Sequence, residues 1–156
     1  MKKLITLVLV LACVLIWVSC NKVQEEKVST YSFHGEHEYF SISNGSIVLN
    51  DKEEVFDGGK LETTQPDVFE GVVSYSTTFY TFANGKQRII LSNSVTDQTD
   101  GSVKVDGGLG KISGKDAIIG NKVGNIDELR ENLWFELKTT DLNGAENVYQ
   151  IRLTLK

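Results

Sequence analysis

The feature that most constrains the fold is a strict alternation of apolar and polar residues near the C-terminus. Apolar residues occupy every second position in residues 149–155 and again in residues 133–137. Successive side chains of a β-strand point to opposite faces, so each segment gains one apolar face. The intervening Asp141-Leu142-Asn143-Gly144 is rich in turn residues. The sequence therefore predicts an antiparallel hairpin with one face in a core.

Two Asn-Gly pairs predict further turns. Asn44-Gly45 separates an alternating segment at 39–43 from another at 46–49, and Asn84-Gly85 separates residues 72–82 from residues 87–95. Asn-Gly accepts the positive φ angles of a type I′ turn, so we expect a two-stranded hairpin at each pair. Asn125, followed three residues later by Glu128, predicts the start of a helix of at most about two turns.

These patterns predict an all-β fold. Several short strands, spaced hairpin turns and at most one short helix favour an antiparallel β-sandwich over a helical or α/β architecture. A length of 156 residues fits one such domain.

The N-terminal segment has the composition of an export signal. Lys2 and Lys3 precede an uncharged run of 15 residues, 4–18. A bilayer-spanning helix needs about 20 apolar residues, whereas the apolar core of a secretory signal has about 7 to 15. We therefore expect residues 1–19 to be a signal peptide.

The residues after this run resemble the lipobox of bacterial lipoprotein precursors. Val18 and Ser19 match the positions before the cut and Cys20 matches the modified cysteine, whereas Trp17 replaces the usual aliphatic residue. The resemblance implies cleavage between Ser19 and Cys20 and a diacylglycerol on the Cys20 thiol, with acyl chains such as palmitate. Such a chain is held on the extracytoplasmic face of the cell membrane. An ordinary cleaved signal and an uncleaved anchor are the alternatives.

The rest of the chain divides into a tether and a domain. Residues 20–30 hold the lipidated cysteine and a polar stretch without apolar periodicity, and residues 31–156 form the expected sandwich. Segments 31–36 and 135–141 are similar to those of small lipoproteins from Gram-positive bacteria. That resemblance supports the location and implies no mechanism.

Charge and cysteine content exclude several classes of function. Loss of residues 1–19 removes two lysines and no acidic residue, so the formal charge changes from −5 to −7. This balance argues against nucleic-acid binding and against broad docking on anionic lipid. With Cys13 removed and Cys20 lipidated, the domain has no thiol for a disulfide or a cysteine metal site.

The sequence carries weak signals for metal binding and none for catalysis. His34 and His37 lie in one short segment with the carboxylates Glu36 and Glu38. Residues three apart on a strand point to opposite faces, so the two histidines converge only if Gly35 opens a turn or bulge. Turn residues near Asp97 and Asp141 lack the spacing of a calcium loop. No nucleophile elbow or Walker loop occurs. We expect no cofactor and no enzymatic activity.

Aromatic residues give the more specific expectation of a binding surface. Tyr75 and Phe79 share one face of a long strand, while Tyr80 and Phe82 share the other. We expect the first pair to face the core. Tyr80, Phe82 and Trp134 are the candidate exposed rings, because aromatic side chains are enriched at interfaces. A strand covered on both sides is the alternative.

Together these features predict a lipid-anchored extracytoplasmic binding module with an envelope protein or glycan as partner. A metal-assisted hydrolase using His34 and His37 is one alternative. A purely structural surface lipoprotein is the other.

Overall fold

The computed structural model describes residues 27–65, 67–97, 101–119 and 125–156. The predicted signal peptide, the predicted cleavage site at Ser19 and Cys20, and the predicted tether as far as residue 26 lie outside the described residues. Among the described helices none is long and apolar enough to cross a membrane.

The described chain is mostly β-strand, with one helix of seven residues, α1, at Ile126–Asn132. The strands in chain order are β1 Ser29–Glu36, β2 Phe40–Leu49, β3 Glu54–Asp57, β4 Lys60–Thr63, β5 Val72–Ala83, β6 Lys86–Thr96, β7 Gly107–Gly108, β8 Lys111–Gly114, β9 Trp134–Asp141, β10 Glu146–Arg152 and β11 Thr154–Leu155.

These strands form two antiparallel sheets. The seven-stranded sheet has the order β11-β1-β2-β3-β8, with β4 paired to β2 and β7 paired to β4. The four-stranded sheet has the order β10-β9-β5-β6. The two sheets pack around a shared apolar core, so the predicted all-β sandwich is confirmed.

The centre of the core is a group of phenylalanine rings from both sheets. The Phe79 ring of the four-stranded sheet lies 5.1 Å from the Phe56 ring and 5.8 Å from the Phe33 ring of the opposite sheet. It lies 5.0 Å from Phe135 on its own sheet. All four rings are at most 1% exposed. Most of these ring pairs meet edge to face. Their attraction stabilises the fold in addition to the free energy gained by burying apolar area.

The hairpin predicted at Asn84-Gly85 is confirmed. It joins β5 to β6, and both turn residues have the positive φ angles of a type I′ turn, 53° and 72°. The turn between β9 and β10 also forms where expected: the Asp141 carboxylate accepts hydrogen bonds from the Asn143 and Ala145 amides at 2.8 and 2.9 Å.

The last predicted strand divides between the sheets. Residues as far as Arg152 pair with β9, and Leu153 then donates its amide proton to the Leu133 carbonyl at 2.8 Å. The next two residues, β11, pair with β1 in the opposite sheet. The alternation continues through this crossing because both sheets turn apolar side chains toward the same core.

The hairpin predicted at Asn44-Gly45 is wrong. β2 continues through both residues and pairs with β3 on one side of them and with β4 on the other. Asn44 has a φ of 58°, which bends the strand and does not reverse it. Gly45 lies opposite Phe33, where an added Cβ would come within 2.1 Å of that ring. The pair therefore forms a bend that leaves room for a core ring.

The predicted helix start is confirmed, because the Asn125 side chain accepts the Glu128 amide proton at 2.9 Å. Helix α1 contacts β5 and β11, and its Arg130 guanidinium lies 6.0 Å from the centre of the Tyr31 ring near the start of β1. The start of β1, helix α1 and the end of β5 therefore lie at the same end of the sandwich. We call this the tether end, because the chain enters the domain there.

Candidate binding surface

The outer face of the four-stranded sheet is a regular grid of side chains. Its members on the edge strands β6 and β10 are exposed, and those on the central strands β5 and β9 are half-buried apart from Tyr80. The strand register sets four rows: Arg152-Trp134-Tyr80-Ile89, Gln150-Glu136-Thr78-Ser92, Val148-Lys138-Ser76-Ser94 and Glu146-Thr140-Ser74-Thr96.

The first row brings together the three aromatic residues expected at a binding surface. Trp134 and Tyr80 are direct cross-strand partners, and the Phe82 ring lies edge-on to Tyr80 at 5.6 Å. Phe82 is 44% exposed and Trp134 is half-buried.

The expectation of an exposed ring at Tyr80 is corrected, because this residue is only 3% exposed. It occupies the centre of the row, between Trp134 and Ile89, where neighbours on both sides remove it from solvent. Burial, and secondarily the negative charge of Glu136, raise the pKa of the Tyr80 hydroxyl. Tyr80 is therefore a support for the flanking side chains.

The other rows present polar groups in pairs. The Gln150 amide donates to the Glu136 carboxylate at 2.7 Å, and the Thr78 and Ser92 hydroxyls lie 3.1 Å apart. Further along the sheet a shallow hollow of about 220 Å³ is lined by serine and threonine side chains, by Tyr75 and by the ion pair between Lys138 and Glu146. A half-buried indole ring beside amide, carboxylate and hydroxyl groups is suited to a ligand with both apolar faces and hydroxyl groups.

The other parity of β5 faces the core, as predicted. Phe79 is fully buried, and Tyr75 packs partly buried against the core. Burial, with a smaller contribution from Asp106, raises the pKa of the Tyr75 hydroxyl.

The two histidines occupy different surroundings. The register between β1 and β2 shifts between Phe33 and Gly35, but the extra residue lies in β2, where Ser43 and Asn44 face the single residue His34. His34 is exposed. His37 is half-buried, with its ring stacked on Phe40 at 4.9 Å, and its Nδ1 accepts the Tyr39 amide proton at 3.2 Å. In the part of the chain that is described, no three His, Cys, Asp or Glu residues are grouped to hold a metal ion.

Two features were missed by the sequence reasoning. Tyr149 lies edge-on to His37, Tyr39 and Phe69 at 5.6 to 5.8 Å, and burial raises the pKa of its hydroxyl. Phe69 also lines an open cleft of about 690 Å³, whose walls include the ion pair between Lys104 and Asp106. The cleft joins loops that are distant in sequence, and no local pattern marks it.

Comparison of the chain with known protein families, with curated proteins and with solved structures found no match in any of the three.

Proposed function

We propose that this protein is a lipid-anchored extracytoplasmic binding module, held at the cell membrane through Cys20, and that the outer face of its four-stranded sheet contacts an envelope glycan. The observation that carries the contact surface is the row containing Trp134, with Glu136 and Gln150 in the next row. The anchor rests on the lipobox-like sequence Val18-Ser19-Cys20.

The geometry favours a glycan over a protein partner. Protein interfaces have a central apolar patch in which aromatic anchors are desolvated together. Here the rows beyond Trp134 carry carboxylate, amide and hydroxyl groups that can exchange hydrogen bonds with sugar hydroxyls. The indole ring supplies a flat apolar surface against which a sugar ring can pack.

The direct test is binding of purified envelope glycan by the Trp134→Ala variant. Removal of the indole ring should weaken binding by about tenfold or more, because truncation of an aromatic anchor commonly costs over 1 kcal/mol. Leu142→Ala is the matched control, since Leu142 is an apolar side chain, 68% exposed, in the β9–β10 turn. Equal binding by the wild type and both variants would remove the sheet face from the proposal.

The anchor has its own test. Fatty-acid labelling of cells should mark the wild-type protein and should not mark the Cys20→Ala variant. Persistent labelling of that variant would overturn the assignment of Cys20.

A further inference from the structure

We propose that the tip of the β5–β6 hairpin rests on the anionic surface of the bilayer to which the protein is anchored. The tip is defined by Phe82, Lys86, Arg88 and Ile89. This inference deepens the proposed function and rests on it, because the tether through Cys20 is what brings the tip to the membrane.

The tip extends beyond the neighbouring strand. β9 ends its pairing with β5 at the Trp134 and Tyr80 partners. The hairpin continues for three more cross-strand pairs before the Asn84-Gly85 turn, from Thr81 and Arg88 to Ala83 and Lys86. At a rise of about 3.3 Å per residue, the overhang is about 10 Å long.

Two large apolar side chains near the tip of this hairpin are open to solvent. Phe82 is 44% exposed and Ile89 is 53% exposed, and both lie on the outer side of the hairpin. On the opposite side Thr81 and Ile90 are buried against the protein, whereas Lys86 and Arg88 are exposed. The tip thus has exposed apolar side chains on one face, and these side chains are not part of the core.

The charge of the hairpin is opposite to that of the whole chain. Residues 71–96 include no Asp or Glu, and their two charged side chains are Lys86 and Arg88. All 21 acidic residues lie elsewhere. The same end of the molecule also carries acidic residues on helix α1, where Asp127 is paired with Arg130 at 3.0 Å, and beside the start of β1, at Asp51, Glu53 and Glu54. The positive charge is therefore local to the hairpin. In the strand register Lys86 and Arg88 pair with Ala83 and Thr81, so both exposed cations lie on the other side of the hairpin from Phe82 and Ile89. A hairpin tip with exposed apolar side chains on one side and lysine and arginine on the other can bind an anionic lipid surface when it enters the headgroup region end-on.

The position of the tip fits this occupant. β5 ends at the tether end of the sandwich, where β1 begins at Ser29. Eight residues, 21–28, lie between Cys20 and Ser29. Fully extended, this segment spans about 30 Å, and any shorter conformation brings the tip closer to the headgroups. The net negative charge of the protein argues against docking of its whole surface on anionic lipid. It does not argue against contact by a small cationic tip that the tether holds near the membrane.

The test uses the full mature protein reconstituted in vesicles, with a polarity-sensitive fluorophore attached to the single new thiol of Gln87→Cys. Asn143→Cys is the matched control, because it is an exposed turn residue in the opposite hairpin. We expect the label at position 87 to shift to the blue in vesicles of phosphatidylglycerol and to stay close to its aqueous spectrum in vesicles of phosphatidylcholine. The label at position 143 should remain aqueous in both.

Removal of the cations gives the quantitative part of the test. The double variant Lys86→Gln, Arg88→Gln should lower the ratio of inserted to free tip by about 25-fold, since each cation near an anionic surface contributes about fivefold. An anchored protein whose label at position 87 stays aqueous would overturn the inference and leave the anchor intact. A protein that does not partition into the vesicles would overturn both. If the label at position 87 shifts to the blue in native envelopes but not in lipid vesicles, the tip contacts a protein partner. That result would also overturn the inference.

Discussion

Substitution of Phe79 by alanine is the most informative perturbation of the fold. The ring is fully buried and contacts Phe33, Phe56 and Phe135, so its loss leaves a cavity between the two sheets. Truncation of a buried phenylalanine costs about 3–5 kcal/mol. Against a typical domain stability of about 5–15 kcal/mol, Phe79→Ala should remove a large fraction of the total.

Phe82→Ala is the control, because it makes the same chemical change three residues away on the opposite face of the same strand. Phe82 is 44% exposed, so its removal should cost about 1 kcal/mol and leave no internal cavity. Urea unfolding of the chain from residue 20 onward, with Cys20→Ala, can be followed by the fluorescence of Trp134. Its midpoint should fall by about 2 M for Phe79→Ala and by less than about 0.7 M for Phe82→Ala. Similar midpoints for the two variants would refute the assignment of the two faces.

Three further predictions follow from single features of the structure. The Thr81 hydroxyl is buried without a hydrogen-bond partner among the described residues, so Thr81→Val should leave stability unchanged or raise it by about 1 kcal/mol in thermal unfolding. Gly59→Ala should destabilise the domain by more than about 1 kcal/mol in the same assay, because Gly59 has a φ of 72° and an added Cβ would meet the Ser43 carbonyl oxygen at 2.2 Å. Since the pKa values of Tyr80 and Tyr149 are raised in the folded protein, the unfolded chain loses these protons first as the pH rises. Stability should therefore decrease above pH 10 or so, and an ultraviolet titration should show these tyrosines ionising later in the folded state.

The parts of the fold that were predicted correctly depend on neighbouring residues. The β5–β6 hairpin follows from Asn84-Gly85 and two alternating segments, and the start of α1 follows from Asn125 and Glu128. In these cases the residues that form the turn or the cap also identify it. The alternation in residues 133–137 likewise gave the correct inner and outer faces of β9.

The wrong prediction at Asn44-Gly45 depended on the neighbouring residues alone, which do not decide between a turn and a bend. The same dipeptide that closes a type I′ turn also bends a continuous strand, and the choice between them depends on what pairs alongside. Here β3 and β4 pair with the two halves of β2, and Gly59 between them lies close to the backbone of residues 43–45. The partner strands begin ten or more residues after Asn44, so the residues next to Asn44 do not indicate that pairing.

The sequence predicted which face of each strand the aromatic side chains of the candidate surface occupy, but it did not predict how exposed each ring is. The parity of β5 placed Tyr80 and Phe82 on the outer face, and the parity of β9 placed Trp134 there. Whether each ring reaches solvent depends on its neighbours in the row, and Tyr80 is buried because it is the middle member. The polar rows that complete the surface depend on the register of four strands, which the sequence did not specify.

The measurement that tests the central claim most directly is photo-crosslinking of the anchored protein in native envelopes. A photoreactive amino acid replaces Thr78, at the centre of the outer face of the four-stranded sheet, or Val48, a half-buried residue of β2 in the other sheet. We expect a glycan adduct at position 78 that is lost on addition of soluble envelope glycan and is absent at position 48. Equal adducts at both positions, or none at position 78 in protein shown to be anchored, would contradict this expectation.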